Sequence, residues 1–505
     1  MREMIIVLLP VLMPILMGTT LLFLKRLKER KVILSYTGTG LLLTGVLALN
    51  VIFNAPDHQV TLFRLTERIP ILFKLDALGR LFVAVVAVVW ICAGFFSFSY
   101  MKHEKNERRY YGFFLITFGV LIGLGQSGNL VTMYAFYEFM TLASFPLVIH
   151  NQSREAVMAG LKYLFYSFFG AYLALFGVFF LCRYTQTITF TPGGALNETL
   201  AAGHGQLLLM IAGLMILGFS VKAGMFPLHA WLPTAHPVAL SPASAVLSGI
   251  IVKGGVFAIF RVVFYVFGAD FLRGTWVQTV FLVLSLLTVF MGSMLAYGED
   301  VLKKRLAYST VSQLSYILFG IALLEPTAVS GSLLHLIGHA MIKSTLFLCA
   351  GAIICRSGMT KVSQLRGIGR RMPVTIWCFT IASLGLIGIP PTCGFISKWY
   401  LAVGALDSGI PIFQYAGPVI LIISALLTAG YLLPVTIKGF FPGAASGDEE
   451  KEGREIGNDA TVWKNCEGDG LMLIPLVILT ALSVLLGMFP NVILNYIEGI
   501  LGGIL

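Results

Sequence analysis

The sequence predicts an all-α, polytopic membrane protein with about 14 transmembrane helices, two inverted five-helix repeats and two broken helices. Of its 505 residues, 57% are hydrophobic and only 12% are charged, whereas about a quarter of the residues in a soluble domain are charged. Its 53 glycines and 20 prolines are spread through the apolar runs, as is common in transmembrane helices. The composition therefore excludes a soluble globular protein.

Apolar runs close to the length of roughly 20 residues that crosses a bilayer define the predicted spans. They lie at 4–24, 32–53, 76–100, 110–126, 129–149, 157–182, 206–226, 239–267, 275–297, 303–324, 328–355, 373–389, 394–436 and 471–496. We take 373–406 as one interrupted helix, with the next span in the rest of 394–436. The first run is interpreted as a retained helix, because its basic cluster follows the apolar stretch, unlike that of a cleaved signal peptide.

These spans are expected to form five units. Helices one to three occupy 1–105, the first five-helix repeat 106–270 and the second repeat 271–440; an acidic cytoplasmic loop at 441–470 and a last helix at 471–505 follow. Because of its many acidic residues, we interpret the loop as a solvated, flexible segment.

The basic residues fix the expected orientation. Alternate loops carry about three times as many lysines and arginines as the others, and such loops face the cytoplasm. We therefore expect both termini outside, in the cytoplasmic membrane of a prokaryote. This topology accounts for the net charge of +11, so a nucleic-acid partner is not predicted. The seven cysteines include no Cys-x-x-Cys pair, and neither a zinc site nor a disulfide framework is indicated.

Two spans are broken in a similar way. One break runs through Lys222-Ala-Gly-Met-Phe-Pro227, and the other through Gly388-Ile-Pro-Pro-Thr-Cys-Gly394. Proline removes a backbone donor, and unpaired backbone at membrane depth is tolerated where it lines a cavity. Broken helices at corresponding places in two halves are typical of inverted-repeat transporters.

Ionisable residues deep in the apolar runs are the candidate functional groups. They are Glu138, Lys222, Lys253, His335, His339, Lys343 and Lys398. A charge at bilayer depth costs about 2.5–3.5 kcal/mol on insertion scales, so the set is expected to be functional even if single members are paired or snorkel. A lysine removed from water can exchange its proton near neutral pH, as histidine does. Glu138 is the one carboxylate well inside a span, and Lys222 is its expected partner.

His335, His339 and Lys343 are spaced i, i+4 and i+8, which places them on one helix face. Ser309, Thr310, Ser312, Gln313 and Ser315 on the preceding span are positioned to hold water beside them. Two histidines one turn apart also suit a metal. However, the neighbouring sequence offers neither carboxylate nor cysteine, and a proton relay fits better.

The remaining charged groups permit simpler interpretations. His229 and His236 flank the first break and either line a cavity or cap the broken segments. Lys162 is expected to snorkel, and Arg261 to anchor at the headgroups. Glu299, Asp300 and the basic run 303–305 are interpreted as a loop that sets topology.

Three motifs give the sequence a family resemblance. The run from Lys222 to Pro237 (KAGMFPLHAWLPTAHP), the run 302–316 (LKKRLAYSTVSQLSY) and the run from His335 to Lys343 (HLIGHAMIK) closely resemble the antiporter-like subunits of respiratory complex I. The same superfamily includes the large subunits of Mrp-type cation/proton antiporters and the membrane arms of energy-converting hydrogenases. The resemblance covers about 75–440.

The resemblance implies a role for each buried group. Glu138 matches the family's carboxylate on the fifth helix, and Lys222 matches the lysine of the broken seventh helix that pairs with it. Lys253 matches the central residue of the eighth helix, and Lys398 the residue of the twelfth helix near the outward half-channel. His335, His339 and Lys343 match the polar line of the eleventh helix. The implied function is proton translocation along a horizontal polar axis, driven by redox chemistry in partner subunits.

The resemblance also implies partners and cofactors. No cofactor is expected in this chain; iron–sulfur, flavin or nickel–iron centres are expected in peripheral cytoplasmic redox subunits. Further antiporter-like and small helical subunits would be its membrane partners. Because the chain ends soon after the last span, without a long lateral helix, we expect an inner antiporter-like subunit of a complex I-like or hydrogenase-type complex.

Three alternatives stay open. The first is a subunit of an Mrp-type sodium/proton antiporter, which needs no electron donor. A stand-alone transporter of an organic solute would require polar and aromatic recognition groups around the breaks, where this chain has mainly titratable and small residues. A purely structural scaffold leaves the buried charges unexplained.

Overall fold

The computed structural model describes residues 2–24, 29–54, 59–67, 69–185, 187–441 and 466–505. Helices α1 to α6 are Arg2–Phe23, Arg30–Asn54, Ala77–Tyr100, Glu107–Gly125, Leu130–Val148 and Arg154–Tyr184. Helices α7 to α12 are Glu198–Ala201, Gly205–Ala223, Leu232–Val238, Ser241–Val246, Val252–Arg261 and Ala269–Leu272. Helices α13 to α20 are Trp276–Gly298, Leu302–Leu323, Pro326–Ser357, Pro373–Ile387, Cys393–Asp407, Phe413–Phe440, Gly470–Met488 and Pro490–Leu501.

The predicted multi-pass membrane architecture is confirmed. Within the described residues, 12 helices are long and apolar enough to cross a membrane. Helix α4 lies outside that count, as does the broken pair α16 and α17, whose halves have 15 residues each. The number 14 and the division into inverted repeats therefore stay predictions.

The loops lie at two opposite ends of the helices. At one end, which we call the basic face (residues 101–106, 149–153, 299–301 and 358–372), Arg109 donates to the carbonyl of His150 and Val301 bridges to Lys361. At the other end, which we call the hairpin face (residues 59–67, 69–76, 126–129, 187–198 and 264–268), Lys74 N donates to the Gln126 carbonyl at 2.8 Å. The alternation of loops that the charge pattern predicts is thus present in the fold.

A β-hairpin covers part of the hairpin face. Strands β1 (Val60–Thr66) and β2 (Ile69–Phe73) pair antiparallel, and the amide of Leu72 donates to Thr132 Oγ1 of α5 at 2.9 Å. The pattern of apolar runs predicts no element in this segment. Strand β1 exposes six of its seven residues and β2 is half-buried or buried throughout, so neither strand shows the inside–outside alternation that marks a strand in a sequence.

The most enclosed helices are α14, α15 and the long helix over residues 241–267. This long helix combines α10 and α11 with two π-helical segments, Leu247–Ile251 and Val262–Phe267. By contrast, α6, α13 and α18 turn apolar side chains outward. Charged groups on the central helices are therefore surrounded by protein and shielded from lipid.

Two sequence-based interpretations of charged residues are wrong. Arg261 is 1% exposed and pairs with Asp76 at 2.5 Å instead of anchoring at headgroups. In the run 303–305, Lys303 and Arg305 are buried and donate to backbone carbonyls, and Lys304 alone extends outward to pair with Glu299 at 2.6 Å. Arg261 is paired with a carboxylate that is distant in sequence, and Lys303 and Arg305 donate to backbone carbonyls.

The C-terminal part also differs from its predicted form. The single predicted span 471–496 is two helices, α19 and α20, which meet at Phe489 before Pro490. The acidic loop lies largely outside the described residues, but its last residues are described. There Glu467 accepts hydrogen bonds from Val374 N at 2.8 Å and Thr375 Oγ1 at 2.5 Å, and thereby caps α16.

Candidate functional site

Each of the two broken helices has a lysine close to its break. Helix α8 ends after Lys222 at Gly224, and α16 ends at Gly388; both glycines are left-handed, with φ of 73° and 95°. The last carbonyls of a helix have no intrahelical partner and carry partial negative charge. Lys398 Nζ donates to two such carbonyls of α16, Leu386 at 2.7 Å and Ile387 at 3.0 Å.

Lys222 is completely buried in a pocket of aromatic and hydroxyl groups. Its Nζ donates to Thr141 Oγ1 and, at 3.5 Å, to Tyr163 Oη, and lies 4.8 Å from the centre of the Tyr137 ring. Glu138 interacts with it electrostatically. Among the described residues, however, the ion pairs closer than 4.0 Å do not include Glu138, whose Oε1 has no hydrogen-bond partner. The expected Glu138–Lys222 pair is thus near but not in contact.

Lys253 is the second residue after the first π-helical segment, which ends at Ile251. Its Nζ donates to the carbonyl of Ser248, five residues earlier, at 2.7 Å, and π-helical turns often occur at functional sites. The hydroxyl of Ser248 lies 2.8 Å from Thr310 Oγ1 on α14, and Thr310 donates to the Leu306 carbonyl at 2.9 Å. That carbonyl also accepts from Lys343 Nζ at 2.9 Å, and Lys343 bonds Ser309 as well. A polar chain therefore links Lys253 to Lys343.

The two histidines of α15 continue this line toward Lys398. The rings of His335 and His339 are stacked with centroids 5.8 Å apart, and Tyr316 stacks on His335 at 5.6 Å. His335 Nδ1 lies 2.8 Å from Ser397 Oγ, and Lys398 Nζ lies 5.0 Å from the centre of the Tyr316 ring. His339 interacts electrostatically with Lys253, Lys343 and Lys398. The His339 ring is therefore within electrostatic range of three of these lysines.

The histidines of the first break have different environments. His236 is fully buried, stacks on Phe347 at 4.6 Å and interacts electrostatically with Lys253 and Lys343. His229 is half-buried and stacks on Phe226 at 6.0 Å. His236 thus faces the polar line, whereas His229 lies beside it.

The structure brings the predicted residues together in two neighbouring groups, which we call the polar axis: Lys253, Lys343, His339, His335 and Lys398 form one, and Lys222 with Glu138 forms the other. Helix α11, which carries Lys253, packs against the Lys222 group, since a Cβ atom at Gly255 would lie 3.2 Å from Lys222 Cβ. Ser309 and Thr310 lie beside it as expected. Ser312 instead bonds Ser293 at 2.8 Å, away from the axis.

The sequence analysis missed four polar partners on this axis. They are Thr141, Tyr163, Ser248 and Ser397. Ser397 precedes Lys398, and Thr141 lies one helical turn after Glu138, so proximity to a buried charge could have identified them. Tyr163 and Ser248 carry no such signal, because the contact of Tyr163 is tertiary and that of Ser248 depends on a π-helical turn.

Several axis nitrogens have unused hydrogen-bonding capacity. Both ring nitrogens of His339, both of His236 and Nε2 of His335 have no partner within the part of the chain that the structure describes. Buried polar groups of this kind are normally satisfied by ordered water. In the same part of the chain, no three His, Cys, Asp or Glu residues are grouped to hold a metal. Chemically, the axis can accept, donate and pass protons between titratable groups.

Sequence comparison shows the family of the chain. Residues 127–427 match the family model described as NADH:quinone oxidoreductase/Mrp antiporter, transmembrane. Residues 66–111 match the model described as NADH-ubiquinone oxidoreductase (complex I), chain 5 N-terminus. The first match contains every residue of the polar axis.

Individual relatives come from more than one kind of complex. A subunit of the NADH-quinone oxidoreductase of Desulforudis audaxviator is 30% identical over 83% of this chain and 82% of its own length. A subunit of the Na(+)/H(+) antiporter of Alkalihalophilus pseudofirmus is 28% identical over 97% of this chain and 95% of its own. A component of hydrogenase-4 of Escherichia coli is 31% identical over 81% of this chain and 62% of its own.

Solved structures of multisubunit membrane complexes contain the same fold. A chain of the Mrp complex of Dietzia sp. matches with a TM-score of 0.83 and 24% identity, over 99% of this chain and 97% of its own. A chain of respiratory complex I from Thermus thermophilus matches with a TM-score of 0.79 and 22% identity, over 98% of both chains. With its polar axis within the matched region, the chain is an antiporter-like, multi-pass membrane subunit of the NADH:quinone oxidoreductase/Mrp antiporter family.

Proposed function

We propose that the chain translocates protons along its polar axis as a membrane subunit of a redox-driven, complex I-like or hydrogenase-type complex. The observation that carries this proposal is the set of titratable side chains, all buried except the partly buried Lys398, that neighbouring helices bring together between Lys222 and Lys398. Unpaired charges would be expensive there, yet helices α8, α11, α15 and α17 all contribute one or more. Ionisable groups are found inside membranes despite this cost where they serve as proton relays.

The axis has the parts that a proton relay needs. Burial favours the neutral form of lysine, which can then accept a proton, and the two ring nitrogens of histidine can take up and release one. The hydroxyls of Thr141, Ser248, Thr310 and Ser397 link these groups or lie beside them. Because Glu138 and Lys222 are close without contact, a small change in their separation would alter how well Lys222 holds its proton. Movement of that pair would couple the axis to an outside driving force.

Redox chemistry is assigned to other subunits of the complex. We propose peripheral cytoplasmic subunits that carry iron–sulfur, flavin or nickel–iron centres, with further antiporter-like and small helical subunits beside this chain in a prokaryotic cytoplasmic membrane. In support, the relative from Desulforudis audaxviator belongs to an NADH-quinone oxidoreductase.

The second candidate is sodium/proton antiport without an electron donor. It is favoured by the end-to-end similarity to the antiporter subunit of Alkalihalophilus pseudofirmus, which covers 97% of this chain. The proton axis is common to both candidates, and the driving force distinguishes them. A lysine-rich axis suits protons better than sodium, which prefers oxygen ligands.

Our first prediction concerns Lys222→Ala in the native complex, purified into sealed vesicles. Formation of a pH gradient should require NADH or hydrogen as electron donor and should fall by about tenfold or more in the variant, because one relay group is missing. Lys438→Ala, a change at the end of α18 away from the axis, is the control and should retain the wild-type rate.

Other results would correct the proposal in different ways. A pH gradient formed by sodium exchange with no donor present would establish the antiporter candidate. Wild-type pumping by Lys222→Ala would contradict the role of the axis in either kind of complex.

A further inference from the structure

The buried lysine at the N-terminus of α14 has no part in the axis described above. Lys303 is 7% exposed, although it lies one residue after the start of the helix at the basic face. Its Nζ donates to the carbonyls of Ala239 at 2.5 Å and Pro237 at 3.3 Å. It therefore lies at the end of the short helix α9, next to the residue that follows His236.

Lys303 connects a surface carboxylate to the axis. It interacts electrostatically with Glu104, on the loop after α3, and with His236. His236 in turn interacts electrostatically with Lys253 and Lys343, and neither of its ring nitrogens has a hydrogen-bond partner among the described residues. The order Glu104, Lys303, His236 thus leads from the basic face to the middle of the polar axis.

Three other titratable groups lie near the Glu104 end of this route. His103 lies beside Glu104, and Tyr100 and Cys355 interact with Glu104 from α3 and α15. Partial burial raises the pKa of Glu104 above its usual value, although Lys303 and His103 oppose that change. A carboxyl at this position is therefore suited to take up protons at higher pH than an ordinary surface glutamate.

We propose that Glu104, Lys303 and His236 form the route by which protons enter the polar axis from the basic face. Because these groups are near one another without direct hydrogen bonds, ordered water carries each step: a proton taken up by the Glu104 carboxylate passes to the neutral amine of Lys303, then to a ring nitrogen of His236, and from there to Lys253 or Lys343. Each transfer returns the donor to its unprotonated form. This inference rests on the proposed proton translocation and names the uptake side of the same site.

A purely structural role for Lys303 makes a different prediction. As a cap on α9, the side chain needs only to donate to two carbonyls, which arginine also does. Arginine cannot release its proton in a protein, so Lys303→Arg preserves the cap and removes the relay. Lys303→His, by contrast, keeps a group that titrates.

The test measures proton uptake by inverted membrane vesicles that contain the whole complex. The driving force is the one, electron donor or sodium gradient, that the experiment on Lys222→Ala identifies for the wild type. Lys303→Arg should lower the rate about tenfold or more at unchanged complex content, and Lys303→His should restore much of it. Glu104→Gln, a change at a half-buried loop residue, should slow uptake most at high pH. Lys304→Arg, one residue away and paired outward with Glu299, should behave as wild type.

Controls separate this route from the proposed function. A wild-type rate in both Lys303→Arg and Glu104→Gln, with Lys222→Ala inactive, would overturn the uptake route and leave proton translocation standing. Wild-type activity in Lys222→Ala would remove the proposed function itself. If Lys303→Arg fails to assemble, Lys303→His and Glu104→Gln decide the question alone.

Discussion

Arg261 shows how one residue can depend on a partner far away in sequence. Its guanidinium is surrounded by the rings of Phe190, Phe257 and Tyr265, at 4.6–5.0 Å from their centres. Two of its nitrogens donate to the Asp76 carboxylate, 185 residues away, at 2.5 and 2.7 Å. Asp76 also caps α3 through Gly79 N. The pair therefore ties the end of α11 to the start of α3 at the hairpin face.

Asp76→Asn should destabilise the protein by about 3 kcal/mol, because it leaves a buried guanidinium without its counter-ion. We place the cost at the lower end for buried pairs, since Asp76 is 24% exposed, and asparagine retains the helix cap. Thermal unfolding in detergent measures the change. Asp270→Asn, which breaks the exposed pair with Arg273, is the matched control and should unfold as wild type. Equal unfolding of all three proteins would refute the prediction.

The same pair has a defined pH dependence. Burial alone would raise the pKa of Asp76, but Arg261 and the hydrogen bond from Gly79 hold it below its usual value. A carboxyl with a lowered pKa stabilises the fold fully above its unfolded pKa of about 3.9 and loses that contribution as pH falls further. The difference between wild type and Asp76→Asn should therefore be constant from neutral pH to about pH 5 and shrink below pH 4.

At the scale of elements, close packing of α11 on α8 sets the neighbourhood of Lys222. A Cβ atom at Gly255 would lie 2.8 Å from both Ala223 N and Phe219 O and 3.2 Å from Lys222 Cβ. Backbone cannot move aside as a flexible side chain can. Gly255 therefore allows the helix that carries Lys253 to approach the helix that carries Lys222.

Gly255→Ala should cost about 1–3 kcal/mol through overpacking and lower the pumping rate, since it separates α11 from α8. Pumping and thermal unfolding of the same vesicle or detergent preparations check both parts. Gly499→Ala on α20 is the control: its Cβ meets open space, and the change should be neutral or slightly stabilising. A Gly255→Ala protein that unfolds and pumps like Gly499→Ala would show that the approach of the two helices is not limiting.

Apolar runs and motif spacing in the sequence predicted many of the helices and the residues of the polar axis. Long apolar runs gave the helices, and the i, i+4, i+8 spacing placed His335 and His339 on one face of α15. The π-helical turn that lets Lys253 reach Ser248 is not visible in the sequence, because it changes backbone pairing without changing residue type. The burial of Lys303 and Arg261 was also missed, since a charged residue near the end of an apolar run looks the same whether it faces headgroups or protein.

At the scale of the whole molecule, the two faces have opposite character. Among the described residues, most of the loop lysines and arginines lie at the basic face. The last described residues before α19 return to it through the Lys102–Asp469 pair at 2.8 Å. Partial burial by itself would raise the pKa of Asp469, but hydrogen bonds from Lys102 and Ser99 hold that pKa below its usual value. The hairpin face carries the β-hairpin and the contact of Tyr496 with the Ala77 carbonyl at 2.9 Å. The loops with many basic residues and the loops with the β-hairpin thus lie at opposite ends of the helices.

The orientation itself is open to a direct test. The excess of basic residues predicts that the basic face lies in the cytoplasm and the hairpin face outside. After replacement of the half-buried Cys182, Cys355 and Cys466 by serine, Glu198→Cys on the hairpin face should react with a membrane-impermeant maleimide in intact cells. Asn151→Cys on the basic face should react only after the membrane is opened, because both positions are exposed in the fold but are separated by the bilayer. The serine-replaced parent is the control for background labelling. Labelling of Asn151→Cys but not Glu198→Cys in intact cells would reverse the orientation and place the Glu104–Lys303 route on the outer side of the membrane.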